Sequence, residues 1–363
     1  MHAVVVMVSL PKISVIIPVY NVAAFLPSAL ESLLAQDFTD LQIIIVDDAS
    51  TDHCPAILHD FCSRDLRVRC ITLDQNQGYG HAVNVGLDAA IGEFIHIFEP
   101  DDELCPEFYS RMLGAAEVSK ADVVSCLHSV VNHQGILQKH SRRKHDSKNC
   151  LLSVDQNPFL VHNRITIWSL LIQRALIVEN DIRLHESPGA SFQDIGFYYQ
   201  VIRASRGIYQ VNQPLYRYRQ HLSQSIHSKS MGLMIFQQYQ FLMSHVIDRF
   251  SGSERKRSLG MLHALLLPKF VRIGLQCQDD LKNEYISTLL QIVRNMDLSL
   301  IKPYLSVSRL GMSFYRTLSL ASEESVDAFI QKRKKNRFWR LGFIIHSEST
   351  LYRCLVKKNR RHE

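Results

Sequence analysis

The 363-residue sequence contains no CxxC pair and no Cys/His cluster at zinc-ligand spacing. Its eight cysteines, at 54, 62, 70, 105, 126, 150, 277 and 354, are scattered. That pattern argues against a zinc module and a disulfide framework, and it fits a reduced, cytoplasmic protein. No run reaches the roughly 18 apolar residues of a membrane-spanning helix. The apolar start MHAVVVMVSL has no Lys or Arg ahead of it and no clear cleavage site, so neither an anchor nor a signal peptide is expected. Low-complexity tracts and internal repeats are absent. So is a dinucleotide fingerprint: in NQGYGHAVNVG, Gly78 and Gly80 are followed by Gly86 rather than by a glycine three residues on.

Acidic and basic residues are unevenly placed. The chain carries a formal charge of +6, yet residues 331–363 alone hold 11 Lys/Arg against 2 Asp/Glu, leaving 30 against 33 for the rest. The basicity therefore belongs to a tail and says little about the partners of the main body.

What is present is an alternation of two patterns. KISVIIPVY, LQIIIVDD, VRCITL and EFIHIF are β-branched apolar runs, and AAFLPSALESLLAQ, PAILHDFCSRD and GHAVNVGLDAA lie between them with helical spacing. Continuous apolar strands separated by helices predict a mostly parallel α/β sheet covered on both faces. In such sheets ligands bind outside the carboxyl ends of the strands. DVVSCLHSVVN, ITIWSLLIQRALI and GIYQVNQPLYRYRQH continue in a mixed pattern. Beyond residue 226 only long helical patterns occur, as in MGLMIFQQYQFLMSHVIDRF and RSLGMLHALLLPKFVRIGLQ. The expected organisation is a catalytic domain over 12–225, with a nucleotide-binding half to about 118 and an acceptor half after it. A helical C-terminal region over 226–363 follows.

Three predicted strand ends are polar or acidic. The last strand of the first half runs straight into Glu99, Pro100, Asp101, Asp102 and Glu103. Four carboxylates so close repel one another unless a cation joins them, and hard carboxylate oxygens suit Mg²⁺ or Mn²⁺. Asp47 and Asp48 end another strand, where a carboxylate can either accept from a nucleobase imide or cap the following helix. Further on, Asp194 in HESPGASFQDIGFYYQ begins a helical pattern, as an N-cap aspartate would.

Taken together, PKISVIIPVYN, IIIVDDASTD and NQGYGHAVNVGLDAAIGEFIHIFEPDDEL resemble the family-2 glycosyltransferases, a likeness that extends through WSLLIQRALI and PGASFQDIGFYYQ to about residue 225. The resemblance implies a GT-A fold, a nucleotide-diphosphate sugar donor (a UDP-sugar above all), a divalent cation and inversion at the anomeric carbon. The acceptor would be a hydroxyl on a glycan or lipid-linked acceptor in bacterial surface polysaccharide synthesis. By the same likeness EPDD stands in the place of the metal motif, with Asp102 as cation ligand and Asp101 beside it, toward the ribose or the metal. Asp48 would read the base with Asp47 nearby, and Pro18 and Tyr20 would wall it. Asn76, Gly78 and Asn84 would lie along the donor, and Arg219 or His221 would meet its phosphates. Asp194 would be the general base, its family partner Glu replaced here by Gln193. Glu99 stands where many members have Asp, and His81 has no role assigned by the likeness. Two rivals are a nucleotidyltransferase acting on sugar phosphates and a non-catalytic membrane-associated scaffold. The first needs a Gly/Arg/Lys-rich phosphate loop that PVYNVAAF lacks. The second has no need of Asp102 and Asp194 together.

The tail interleaves its cations with Phe338, Trp339, Leu341, Phe343 and Ile344. Nucleic-acid binding would use the charges alone, so no nucleic-acid partner is expected. An anionic membrane surface would use both features and would make the protein peripheral on the inner face of the membrane. Each cation near such a surface contributes on the order of 1 kcal/mol, less as salt rises. Deleting 331–363 is therefore expected to lower co-sedimentation with anionic vesicles at low salt and to slow transfer to lipid-linked but not soluble acceptors. Equal sedimentation of the full and shortened proteins would leave the segment an ordinary solvated helix.

Overall fold

The computed structural model describes residues 10–140, 151–156, 158–161, 166–190, 192–221, 231–276 and 281–305. The basic tail lies outside the described residues. The chain divides into two compact units, one of residues 1–142 and 147–227, the other of 143–146 and 228–363.

The first unit begins with the predicted alternation. Strand β1 (Ile13–Val19) is followed by α1 (Leu26–Leu34), β2 (Leu41–Asp47), α2 (Cys54–Arg64), β3 (Val68–Thr72), α3 (Tyr79–Ala89) and β4 (Phe94–Ile97). Every residue of β1 is buried, as its unbroken apolar run requires of a strand covered on both faces. Pro27 does not interrupt α1, because it sits in the first turn, where its missing N–H would have no helical acceptor; Pro55 does the same in α2.

Next come β5 (Glu103–Leu104), α4 (Phe108–Ser119), β6 (Val123–Asn132), β7 (Leu137–His140), β8 (Leu151–Leu152), β9 (Leu170–Gln173), α5 (Arg174–Glu179), α6 (Gln193–Ala204) and β10 (Ile208–Gln220). The sheet runs β3-β2-β1-β4-β9-β6-β10-β5, with β7 on β6 and β8 on β10. Strands β1 to β4 are parallel, and β10 is parallel to β6. Strand β9 is antiparallel to both β4 and β6, and so joins the two halves. Ile13, Val15 and Ile17 face a core built with Leu30 and Leu33 of α1, Leu58 and Phe61 of α2, and Met112 and Leu113 of α4. Helix α3 packs on β1 and β2. Each fully buried aliphatic side chain contributes about 1.5–3 kcal/mol.

The second unit holds α7 (Met231–Arg249), α8 (Gly252–Gln276), α9 (Lys282–Arg294) and α10 (Lys302–Leu305). Phe236, Phe270 and Tyr285 pack at its centre, and the Tyr285 hydroxyl donates to the Phe270 carbonyl at 2.6 Å. Among the described residues no helix is long and apolar enough to cross a membrane.

Candidate functional site

Register brings the strand ends together. Val19 pairs with Asp47, and Asp47 with Thr72, so β1, β2 and β3 finish in one row. The β4 segment is aligned with them through the bond from the Phe98 N–H to the Ile16 carbonyl, 2.9 Å. Polar ends of separate strands thus stand in one row along the carboxyl edge of the sheet, where the topology rule places a ligand crevice.

At one side of the crevice the loops after β1 and β2 are stitched together. Asn21, with φ of 49°, presents its side-chain oxygen to the N–H groups of Thr51 (2.8 Å) and Asp52 (3.3 Å), while Asp52 accepts from the Ala23 N–H. Pro18 is buried within β1, whereas Tyr20 stands 49% exposed at the lip. The open aromatic wall here is therefore Tyr20. Asp47 accepts from the Ser50 N–H at 3.0 Å. The Asp48 carboxylate is buried and accepts the N–H groups of Gln77 (2.7 Å) and Gly78 (2.8 Å), which ties the loop before α3 to the end of β2. Asn76, next in that loop, is exposed.

The acidic turn after β4 is sorted by depth. Asp102 is only 1% exposed, and its two oxygens accept from the Arg219 N–H (2.7 Å) and the Tyr216 hydroxyl (2.8 Å). Burial and the charge of Asp101 push it well above the usual carboxylate range. The sequence reading put the cation on Asp102 with Asp101 beside it; in the structure the Asp102 carboxylate lies beneath the acidic turn, bonded to β10. Asp101 is the half-buried neighbour, and its Oδ2 lies 2.9 Å from His221 Nε2. The sequence reading put Arg219 or His221 on the donor phosphates. The Arg219 guanidinium is buried and bonds the Asp101 carbonyl (3.0 Å), the His133 carbonyl (3.1 Å), Ser28 and Glu103, and lies over the Phe25 ring. These bonds make Arg219 a brace for the acidic turn.

Glu99, left without a role by the sequence, accepts from the Tyr79 hydroxyl at 2.6 Å. Burial, and then the Asp101 charge, push it up to about 8, and the Asp194 charge adds to this. The Asp194 charge, at the start of α6, raises both Glu99 and Tyr79. Asp194 is exposed in the first turn of α6. Its neighbour Gln193 is buried and donates to Ser187 Oγ (2.9 Å) and the Gly189 carbonyl (3.3 Å). A carboxylate could not make those donations, which accounts physically for an amide at 193.

The segment before α6 lies directly on the start of α3. Gly78 has φ of 92°, and a Cβ there would come within 2.5 Å of the Ser187 carbonyl; one on Gly80 would meet the His185 carbonyl at 2.2 Å. Gly78 thus permits a backbone approach, so its place near the donor is structural first. Asn84, expected along the donor, is buried and bonds Leu184 and Glu186 instead. His81 pairs with Glu186 at 2.9 Å. Sequence reasoning missed Tyr79, Tyr216 and Glu186. Only the glycines flanking Tyr79 offered a signal.

A divalent cation fits the residues present. Glu99 and Asp101 supply hard oxygens, and their mutual repulsion is what a cation would relieve. Among the described residues no three His, Cys, Asp or Glu side chains form a ready-made cage. That suits Mg²⁺ or Mn²⁺, which are usually held by one or two carboxylates plus substrate phosphates.

The family profile described as Glycosyl transferase family 2 matches residues 14–177. The uncharacterized glycosyltransferase EpsJ of Bacillus subtilis is 28% identical over 251 residues, 64% of this chain and 68% of that protein. The Campylobacter jejuni GalNAc(5)-diNAcBac-PP-undecaprenol beta-1,3-glucosyltransferase is 37% identical over 133 residues, 36% of this chain and 42% of that enzyme. The chain thus spans about two thirds of one relative and under half of the other. Among solved structures, S. aureus TarS 1–349 in complex with UDP-GlcNAc has a TM-score of 0.69 at 19% identity, covering 88% of this chain and 92% of that one. This likeness shows a shared GT-A fold.

The raised Glu99 sets a pH dependence for the metal-free protein. Unfolded, Glu99 ionises near 4.5; folded, near 8. Between those values the folded protein binds more protons, so stability falls as pH rises. In chelator, Glu99→Gln should gain in melting temperature relative to wild type as pH goes from about 5 to about 8. A gap that stays constant would show that Glu99 ionises normally.

Proposed function

On the premise that this chain is a glycosyltransferase with a family-2 domain, we propose that it transfers a sugar, with inversion, from a UDP-sugar to a hydroxyl of a glycan or lipid-linked acceptor of a bacterial surface polysaccharide. The observation that carries this reading is that Glu99 and Asp101, on the turn after β4, feel one another's charge and Glu99 also feels that of Asp194 at the start of α6, a segment almost a hundred residues away. A non-catalytic scaffold has no use for such repulsion, and a helix cap at 194 has no need of a carboxylate partner across the crevice. The UDP reading is supported by TarS, whose same fold was crystallised with UDP-GlcNAc. The lipid-linked acceptor is supported by the Campylobacter relative, whose name contains a PP-undecaprenol glycan.

In this reading the roles follow depth. Tyr20 and Asn76 border the base and ribose of the donor, and the buried Asp47 holds the Ser50 backbone beside them. Asp48, Asp102 and Arg219 hold the loops that shape its pocket, and His221 orients Asp101. Asp101, with Glu99 beside it, would hold Mg²⁺ or Mn²⁺, which supplies positive charge to a diphosphate leaving group. Transfer is a single displacement. The acceptor oxygen forms its bond to the anomeric carbon while the bond to the diphosphate oxygen breaks, and UDP leaves with that electron pair. Asp194, exposed at the start of α6, takes the acceptor proton.

A donor screen tests the reading: UDP release from UDP-glucose, UDP-galactose, UDP-GlcNAc and UDP-GalNAc, with Mn²⁺ or with chelator. One donor should be turned over, and chelator should stop it. Asp194→Asn should cut turnover by about 10²–10⁴-fold, with UDP affinity changed less than about twofold. Asp101→Asn should weaken the metal-dependent part of UDP binding. Full activity in chelator would remove the metal from the reading, and wild-type turnover by Asp194→Asn would remove the base.

A further inference from the structure

Asn84 makes an unusual set of bonds for a helical side chain. Its Oδ1 accepts from the Leu184 N–H at 3.0 Å, and its Nδ2 donates to the Leu184 carbonyl at 2.9 Å. One amide thereby pairs with both polar groups of one residue, as a strand neighbour would. The second Nδ2 hydrogen is directed to Glu186 Oε1, also at 2.9 Å. Glu186 Oε2 in turn meets His81 Nδ1 at 2.9 Å. His81 and Asn84 are three residues apart and share a face of α3. Asn84 is 6% exposed, and both its amide hydrogens and its oxygen are engaged inside the protein.

These bonds secure the segment that leads into Asp194. The Tyr79 N–H adds a bond to the Gly189 carbonyl at 3.1 Å, and Gln193, adjacent to Asp194, bonds Ser187 and Gly189 of that segment. The same first turn of α3 carries the Tyr79 hydroxyl that holds Glu99. One helix end therefore fixes both sides of the crevice, the carboxylate after β4 and the segment that delivers Asp194. We infer that Asn84, with Glu186 and His81, is a positioning latch for Asp194 and does not contact the donor. The inference rests on Asp194 acting as base, and general-base transfer is sensitive to displacements of about 1 Å.

A double-mutant cycle tests it, using UDP release from the best UDP-sugar of the screen and UDP affinity as separate readouts. Asn84→Asp keeps the shape but places an oxygen against the Leu184 carbonyl and Glu186. It should slow turnover on the order of 10²-fold, with UDP affinity changed less than about twofold. In an Asp194→Asn background the same substitution should change turnover less than about twofold, because the positioned group is already gone. Equal slowing in both backgrounds would overturn the latch and leave the base reading intact. So would weakened UDP binding with turnover unchanged. Wild-type turnover by Asp194→Asn alone would remove the base reading, and the latch with it. If Asn84→Asp lacks a cooperative melting transition, the same cycle is run on Glu186→Ala, an exposed position. Its loss of turnover should vanish in the Asp194→Asn background and be rescued by Glu186→Gln, which still offers an oxygen to the Asn84 amide. Failure of that rescue would overturn the latch.

Discussion

Asp102 is the junction on which the acidic side of the crevice depends. A buried carboxylate is costly unless its oxygens are bonded, and here the donors are the backbone of Arg219 and the hydroxyl of Tyr216. Both lie on β10, more than a hundred residues downstream. The bonds fasten the turn after β4 to the far half of the sheet, and Arg219 then closes over the same turn from the side. With Asp102 held beneath, Asp101 and Glu99 are presented above it at fixed depth. A loose loop carrying the same acids would spread them apart by repulsion.

On the opposite side α3 plays a matching part. Its glycines let the 184–189 segment lie against the helix start, Tyr79 reaches Glu99, and Asn84 supplies the bonds of an absent strand. The crevice is thus built from two clamps, β10 on the acidic turn and α3 on the approach to α6.

The sheet was largely legible in the sequence because continuous β-branched runs, separated by helical spacing, have few other solutions. The strand ends were legible for the same reason, since register follows from the runs. What periodicity could not supply was depth. Asp101 and Asp102 are adjacent and chemically identical, and which one is buried depends on Tyr216 and Arg219, far away in sequence. Asn84 likewise looks the same as a ligand contact or as a clamp until Leu184 is placed beside it. The amide at 193 became intelligible only once Ser187 and Gly189 stood within bonding distance.

The placement of β9 and β10 carries a consequence for how the protein is made. Strand β4 finds its neighbour on one side only when residues 170–173 have been synthesised, and among the described residues β5 pairs with β10 alone, at 216–217. A nascent chain emerging from the ribosome therefore holds an unclosed sheet edge and an unbraced acidic turn for some hundred residues. Closing contacts so distant in sequence is slow. A chain halted before β10 would lack the Tyr216 and Arg219 donors that meet Asp102, and its acidic turn would stand unsupported.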